Sequence, residues 1–364
     1  MKFNLEKDQM MEALQKVQSI VGQRTTLPIL SNILLEVDNG LLTLTATDQE
    51  VSVRTSLKVD VIESGATTLP ARHFFSICKE LPDHQIDIEV NEADVATIRS
   101  GSYKGKLEGL SKVDFPPMPS FTESFSYKLD QVVLRELLQK TFYAASTDES
   151  RAILNGSLMA FRDNKLTIVC TDGRRLALIE KEIEISAENE LDIVVPTKTT
   201  QELIKTLKEE GDVFIKTSAT QVAFEFGDMF IISKLIEGTY PNYRQVIPSQ
   251  CEERIAIDRN ILQSAVRRVS LMLNDQTASV KVKITENKIE LLTSSPEIGE
   301  ASESIPVKYS GKDITIAFNP AFMIAPLKYL ESDEVYLELS DELSPGVIKS
   351  NIPFLYVIMP IRIN

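Results

Sequence analysis

Apolar positions along this chain follow two rhythms, one of two residues and one near 3.6, and the succession of the two recurs three times. Each copy opens with a short alternating stretch: Phe3-Asn4-Leu5, Tyr127-Lys128-Leu129 and Ile255-Ala256-Ile257. A helically spaced segment follows. Its apolar stripe is Met10, Leu14, Val17 and Val21 in the first copy and Leu134, Leu137, Leu138 and Phe142 in the second. In the third it is Leu262, Ala265, Val266 and Val269. One-sided burial of a helix requires that spacing. Next come two alternating runs around a polar turn, at Asp38-Asn39-Gly40, Asp163-Asn164 and Glu286-Asn287, which predicts a hairpin in each copy.

Further landmarks return at near-constant offsets. Thr47-Asp48 recurs as Thr171-Asp172, Leu69-Pro70 as Val195-Pro196, and Phe115-Pro116 as Tyr240-Pro241; Asn319-Pro320 opens the matching segment of the third copy. Each copy reads as two similar halves, one helix followed by strands. This predicts an α+β protein of three similar domains, each with two helices packed on antiparallel sheets. Polar, Pro-rich linkers place the domains at 1–120, 127–247 and 253–364, in keeping with 364 residues.

The chain is acidic, with net charge −14. Its six helical windows are not: 7–16, 72–79, 128–140, 198–208, 259–268 and 319–328 carry 0, +2, +1, +2, +3 and +1. Arg72, Ser76 and Lys79 share one helix face, Lys198, Gln201, Lys205 and Lys208 another, and Arg259, Gln263 and Arg267 a third, each opposite an apolar stripe. Lys140 closes the window of the second copy. Flexible cations on exposed helix faces give sequence-independent phosphate contact without base readout. The competing reading of the repeat is an interaction scaffold that never touches DNA.

Little else carries chemistry. Cys78, Cys170 and Cys251 are far apart, and His73 and His84 have no nucleophile or metal partner at ligand spacing. Gly-rich phosphate loops and nucleophile elbows are absent, so the chain is expected to be non-enzymatic, without metal or cofactor. Asp48 and Asp172, each after a Thr at a strand end, are expected to hold turns. The charged opening Met1-Lys2-Phe3-Asn4-Leu5-Glu6-Lys7-Asp8 lacks a signal peptide's apolar core, and no apolar run approaches ~18 residues, which points to the cytoplasm.

Several stretches resemble the bacterial sliding clamps, the beta subunits of DNA polymerase III. They include Met1-Lys2-Phe3, Thr26-Leu27-Pro28-Ile29-Leu30, Thr67-Thr68-Leu69-Pro70-Ala71-Arg72 and Thr171-Asp172-Gly173-Arg174-Arg175-Leu176. Tyr240-Pro241-Asn242-Tyr243-Arg244 and Met359-Pro360-Ile361-Arg362-Ile363 complete a set that covers all three repeats in order. The resemblance implies a processivity factor for DNA replication. It would be a head-to-tail homodimer closing into a ring, with helices toward double-stranded DNA and sheets outside. Arg24 joins the helix-face cations as a DNA-facing position, and Leu107, Leu271 and Met272 fall at the dimer contact.

It further implies a groove between the second and third domains for short linear motifs of DNA polymerase, the clamp loader and repair proteins. Leu154, Thr171, Gly173, Arg175, Leu176, Pro241 and Val246 match its first part. Asn319, Phe322, Val357, Met359, Pro360, Ile361 and Arg362 match its second. Met359 and Ile361 would equally suit the core of a terminal strand. The chain departs from the best-known members at Arg174, in place of a His, at Ile153 and Phe322, in place of tyrosines, and at Gln245, in place of an Arg; Asn364 is an added residue. Pro326 is expected to kink or shorten the second helix of the third domain.

Overall fold

A computed structural model describes residues 1–22, 27–122, 124–185, 187–274 and 279–362. In the first repeat the elements are β1 (Lys2–Glu6), α1 (Lys7–Gln18), β2 (Asn32–Asp38), β3 (Leu41–Thr47), β4 (Val51–Lys58), β5 (Asp60–Glu63), β6 (Gly65–Pro70), α2 (Ala71–Glu80), β7 (Gln85–Val90), β8 (Val95–Ser100) and β9 (Tyr103–Glu108). The second holds β10 (Phe125–Asp130), α3 (Gln131–Gln139), β11 (Gly156–Arg162), β12 (Lys165–Thr171), β13 (Arg175–Glu182), β14 (Leu191–Pro196), α4 (Thr197–Thr206), β15 (Asp212–Thr217), β16 (Gln221–Phe226) and β17 (Met229–Lys234). The third holds β18 (Glu253–Asp258), α5 (Arg259–Ser270), β19 (Val280–Thr285), β20 (Lys288–Ser295), β21 (Gly299–Pro306), β22 (Ile314–Phe318), α6 (Pro320–Tyr329), β23 (Glu334–Leu339), β24 (Gly346–Lys349) and β25 (Phe354–Ile358). The expected hairpins are β2–β3, β11–β12 and β19–β20. Their turns use left-handed Asn39, Asp163, Asn164 and Asn287, residue types that tolerate positive φ.

The contacts gather into two compact units that cut through the second repeat: Met1–Arg135 with Gln201–Leu235, and Glu136–Thr200 with Ile236–Asn364. The first unit carries a sheet of order β5-β1-β7-β8-β9 and one of order β10-β15-β16-β17-β4-β3-β2-β6. In it α1 packs on α2 and on β3 and β4, burying Met10, Ala13, Leu14 and Val17. The second unit carries β14-β11-β12-β13-β25-β24-β23-β18 and β21-β20-β19-β22, with α5 packed on α6.

Both eight-stranded sheets are made by one joint. β4 pairs with β17 of the following repeat, and β13, the counterpart of β4, pairs with β25, the counterpart of β17. Residues just past each repeat's first helix add a second contact. Ser19 donates its hydroxyl to Glu202 on α4, whereas Tyr143 stacks on Tyr329 of α6 at 5.3 Å. Lys16 reinforces the first joint, bonding Asp228 in the β16–β17 turn at 2.8 Å.

A shared strap closes each repeat. After β9, β17 and β25 the chain crosses to an edge strand, where Leu110 N donates to Thr68 O, Ile236 N to Val194 O, and Ile361 N to Ala317 O. These bonds cover the open edges of β6, β14 and β22.

Pro326 does not shorten its helix: α6 runs Pro320–Tyr329, ten residues like α2 and α4. The proline removes the N–H that would bond the Phe322 carbonyl, and the Tyr356 hydroxyl donates to that carbonyl instead, at 2.9 Å. Among the described residues no helix is long and apolar enough to cross a membrane.

Candidate functional site

The residues assigned to the groove all lie in the second unit. Their frame is the β12–β13 turn. Asp172 Oδ1 accepts from the backbone N–H of Arg174 and Arg175 at 2.8 and 3.0 Å, and the Thr171 hydroxyl accepts from Gly173 N–H at 3.1 Å. Gly173 sits at φ +84°, where a Cβ would be strained. Asp48 holds the equivalent turn of the first repeat in the same way, through Glu50 N and Val51 N.

The turn aims Arg175 inward. Its guanidinium bonds Asp172 Oδ2 at 3.1 Å and lies 4.3 Å from the Phe322 ring centroid, a cation–π contact. Asn319 caps α6 by accepting from Ala321 and Phe322 N–H, which fixes Phe322. Burial raises the Tyr356 hydroxyl above its ordinary pKa, with the Arg175 charge opposing, and burial raises Tyr143 likewise.

Beneath lies an apolar cluster of Leu158, Val169, Leu176, Val194 and Val357, covered by Tyr240, Tyr243 and Ile247. Leu154, Leu176 and Val357 are therefore buried floor, while Val246, Met359 and Ile361 are 47, 40 and 39% exposed. Met359 and Ile361 are thus not the core of a terminal strand. Pro241 and Arg362 are exposed, and Pro360 is half-buried. Met359 N–H bonds Arg174 O at 2.9 Å, so the strap is pinned at both ends, to the β12–β13 turn and to β22. Leu343, not among the residues singled out from the sequence, is 74% exposed in the β23–β24 loop, and Gly346 at the end of that loop pairs with Ile358 beside Met359. An apolar residue between acidic and turn residues was its only signal.

The helix-face cations divide. Arg72, Lys79, Lys198, Lys205 and Arg267 are exposed, with Lys205 3.5 Å from the buried Glu202 carboxylate. Lys140 is not a surface cation: it is 6% exposed and bonds Glu136 one turn earlier at 3.1 Å. The equivalent cations are also ion-paired, Lys16 with Glu12 and Asp228, Arg268 with Glu303, although Arg268, unlike Lys16 and Lys140, stays exposed. Arg259 is half-buried and donates to the carbonyls of Ser332 and Leu327 at 3.0 and 2.9 Å, leaving it poorly placed for phosphate. Arg24 lies outside the described residues. Leu107 is half-buried on the edge strand β9, Met272 is half-buried, and Leu271 is 72% exposed. Burial pushes the Cys78 and Cys170 thiols up to about 12 and about 11, so they stay protonated and unreactive at neutral pH.

Comparison with known proteins completes the picture. Residues 1–119, 128–242 and 244–362 match the N-terminal, central and C-terminal domains of the DNA polymerase III beta subunit. The beta sliding clamps of Chlamydia muridarum and Escherichia coli are 35% and 33% identical, each covering 100% of both chains. The Bartonella birtlesii sliding clamp, solved bound to griselimycin, superposes with TM-score 0.96 at 34% identity over 100% of both chains. The Bacillus subtilis clamp gives 0.95 at 30% identity, again over 100% of both. This chain belongs to the DNA polymerase III beta subunit family and is a non-catalytic DNA sliding clamp.

Proposed function

We propose that two copies close head to tail into a ring of six domains, bounded near 1–120, 127–247 and 253–364, around duplex DNA in the cytoplasm. The repeated joint carries this reading. Strands of the β4 type pair with strands of the β17 type from the following repeat, twice within the chain. What remains is β21, of the first type, and β9, of the second, each at the edge of its sheet. Pairing β21 of one copy with β9 of the next applies the same rule a third time, and two such junctions close a ring.

The register follows. Ser52 pairs with Ile232 and Leu176 with Val357, and the equivalent positions are Glu300 and Lys106. Opposite charges would face each other across the junction. Leu271 follows Ser19 and Tyr143 in the series, and its counterpart helix is α2 of the second copy.

The exposed cations Arg72, Lys79, Lys198, Lys205 and Arg267 supply phosphate contact, and the surface around Val246, Phe322 and Met359 receives short apolar segments of polymerase, loader and repair proteins. A charge exchange tests closure. Lys106→Glu or Glu300→Lys alone should shift the sedimenting species from dimer toward monomer, and the two together in one chain should restore the dimer. Equal behaviour of single and double variants would refute the register. The scaffold reading is not favoured, given the match to sliding clamps along the whole chain.

A further inference from the structure

One row of residues crosses the corresponding sheet of each repeat. In the first it is Arg54, Thr45, Leu34 and Thr68; in the second Leu178, Val169, Leu158 and Val194; in the third Ser302, Leu292, Lys281 and Ala317. Each row ends at its strap, on Leu110, Ile236 or Ile361. Beyond the first two straps the chain returns an aromatic residue to its row. Phe115 packs with Leu34, and Tyr240 covers Leu158, Val169 and Val194.

The third row is uncovered among the described residues. It forms a cavity of about 680 Å³ lined by Lys281, Leu292, Ser302, Ala317, Ile361 and Arg362, with Glu300 and Ala301 at one side. Leu292, Ala317 and Ile361 make an apolar floor, with the Ser302 side chain on the same face. Lys281 and Arg362 add two positive charges, and Glu300 is the residue placed opposite the partner's Lys106 in the proposed ring.

We infer that this cavity is a second docking subsite, taking an aromatic side chain with an acidic neighbour from the partner segment anchored in the groove. The inference rests on the groove reading. Three observations choose the occupant. Aromatic side chains fill both equivalent rows. The charge left unmatched is positive, which favours an acidic neighbour. The strap joins the two places: Met359 and Pro360 face the groove, Ile361 and Arg362 the cavity. Three residues of extended strap span about 10 Å, so a linker of a few residues bridges them and converts the second contact into an intramolecular one.

The test uses the full-length protein and three probes. The short probe is a pentapeptide with two leucines and a phenylalanine. The long probe joins it, at either end, through four Gly/Ser residues to Glu-Gly-Thr-Tyr, copied from residues 237–240. The third probe is free Glu-Gly-Thr-Tyr. One long version should bind about tenfold tighter than the short probe. Ser302→Trp, which fills the cavity from the exposed row itself, and Lys281→Glu, a surface change that leaves folding untouched, should each reduce that gain below about twofold without altering the short probe. Met359→Ala should weaken both. Absence of any gain, or a gain that survives both cavity variants, overturns the inference. If the short probe itself fails, the groove reading has failed. The free tetrapeptide then decides for the cavity: amide shifts at Lys281, Leu292 and Ser302 support it, and none at millimolar peptide overturns it.

Discussion

Truncation of Leu271 to Ala weighs the proposed junction most simply, because in the proposed ring position 271 would do between copies what Ser19 and Tyr143 do inside the chain. Ser19 bonds Glu202 and Tyr143 stacks on Tyr329, each on the second helix of the following repeat. Leu271 leaves 72% of its surface exposed within its own chain. Full burial of a leucine contributes about 1.5–3 kcal/mol, so covering the remaining three-quarters is worth roughly 1–2 kcal/mol per junction. Two identical junctions double this to roughly 2–4 kcal/mol, a rise of about 30- to 1,000-fold in the dimer dissociation constant. Sedimentation velocity across nanomolar to micromolar concentration reads that shift directly. The monomer should keep wild-type circular dichroism, since little of Leu271 packs within the chain. A change below about threefold would show that Leu271 is not at the junction, and the extrapolated joint would lose its helix contact.

Other outcomes follow from the site. Lys198→Glu, Lys205→Glu and Arg267→Glu together should weaken DNA association and flatten its salt dependence by about 0.9 for each phosphate no longer neutralised; an unchanged slope would exclude these faces. Lys140→Ala should leave DNA association intact while lowering stability, and a DNA defect without a stability defect would contradict its burial beside Glu136. Met359→Ala with Pro360→Ala should cost at least about tenfold in affinity for an apolar peptide, near 1.4 kcal/mol, in a dimer that remains intact. Tyr356→Phe should loosen α6 by about 1–3 kcal/mol in amide exchange, because the Phe322 carbonyl loses its donor. Adding Pro326→Ala, which returns an N–H, should recover most of that, and equal loss in both backgrounds would refute the substitution of one donor for the other.

Much of the fold was legible because its signals are local. Helix stripes such as Met10, Leu14 and Val17, and turns such as Asp163-Asn164, depend only on near neighbours in sequence. The joints were not legible. Whether β4 meets β17 is decided by edges more than 170 residues apart, and alternation looks the same on any edge strand. Lys140 was misread for a related reason: spacing places it on a helix face, but only the packed structure shows that face covered. Pro326 misled because the rule for proline counts the missing N–H and not the Tyr356 hydroxyl that replaces it. The hydrogen-bonded turn from Thr171 to Arg175 was marked by motif resemblance, while the exposed Leu343 stands in a loop that carries no such motif.

A disulfide engineered across the junction tests closure most directly. Residues directly opposite on antiparallel strands lie about 4.5–5.5 Å apart at Cα, within disulfide reach. With Cys251→Ser as background, Lys106→Cys and Glu300→Cys in one chain should oxidise to a covalent dimer, with Lys104→Cys and Glu300→Cys linking far less. A monomer that stays uncrosslinked, open chains of many subunits, or equal linking by the two-residue-shifted pair would contradict the ring.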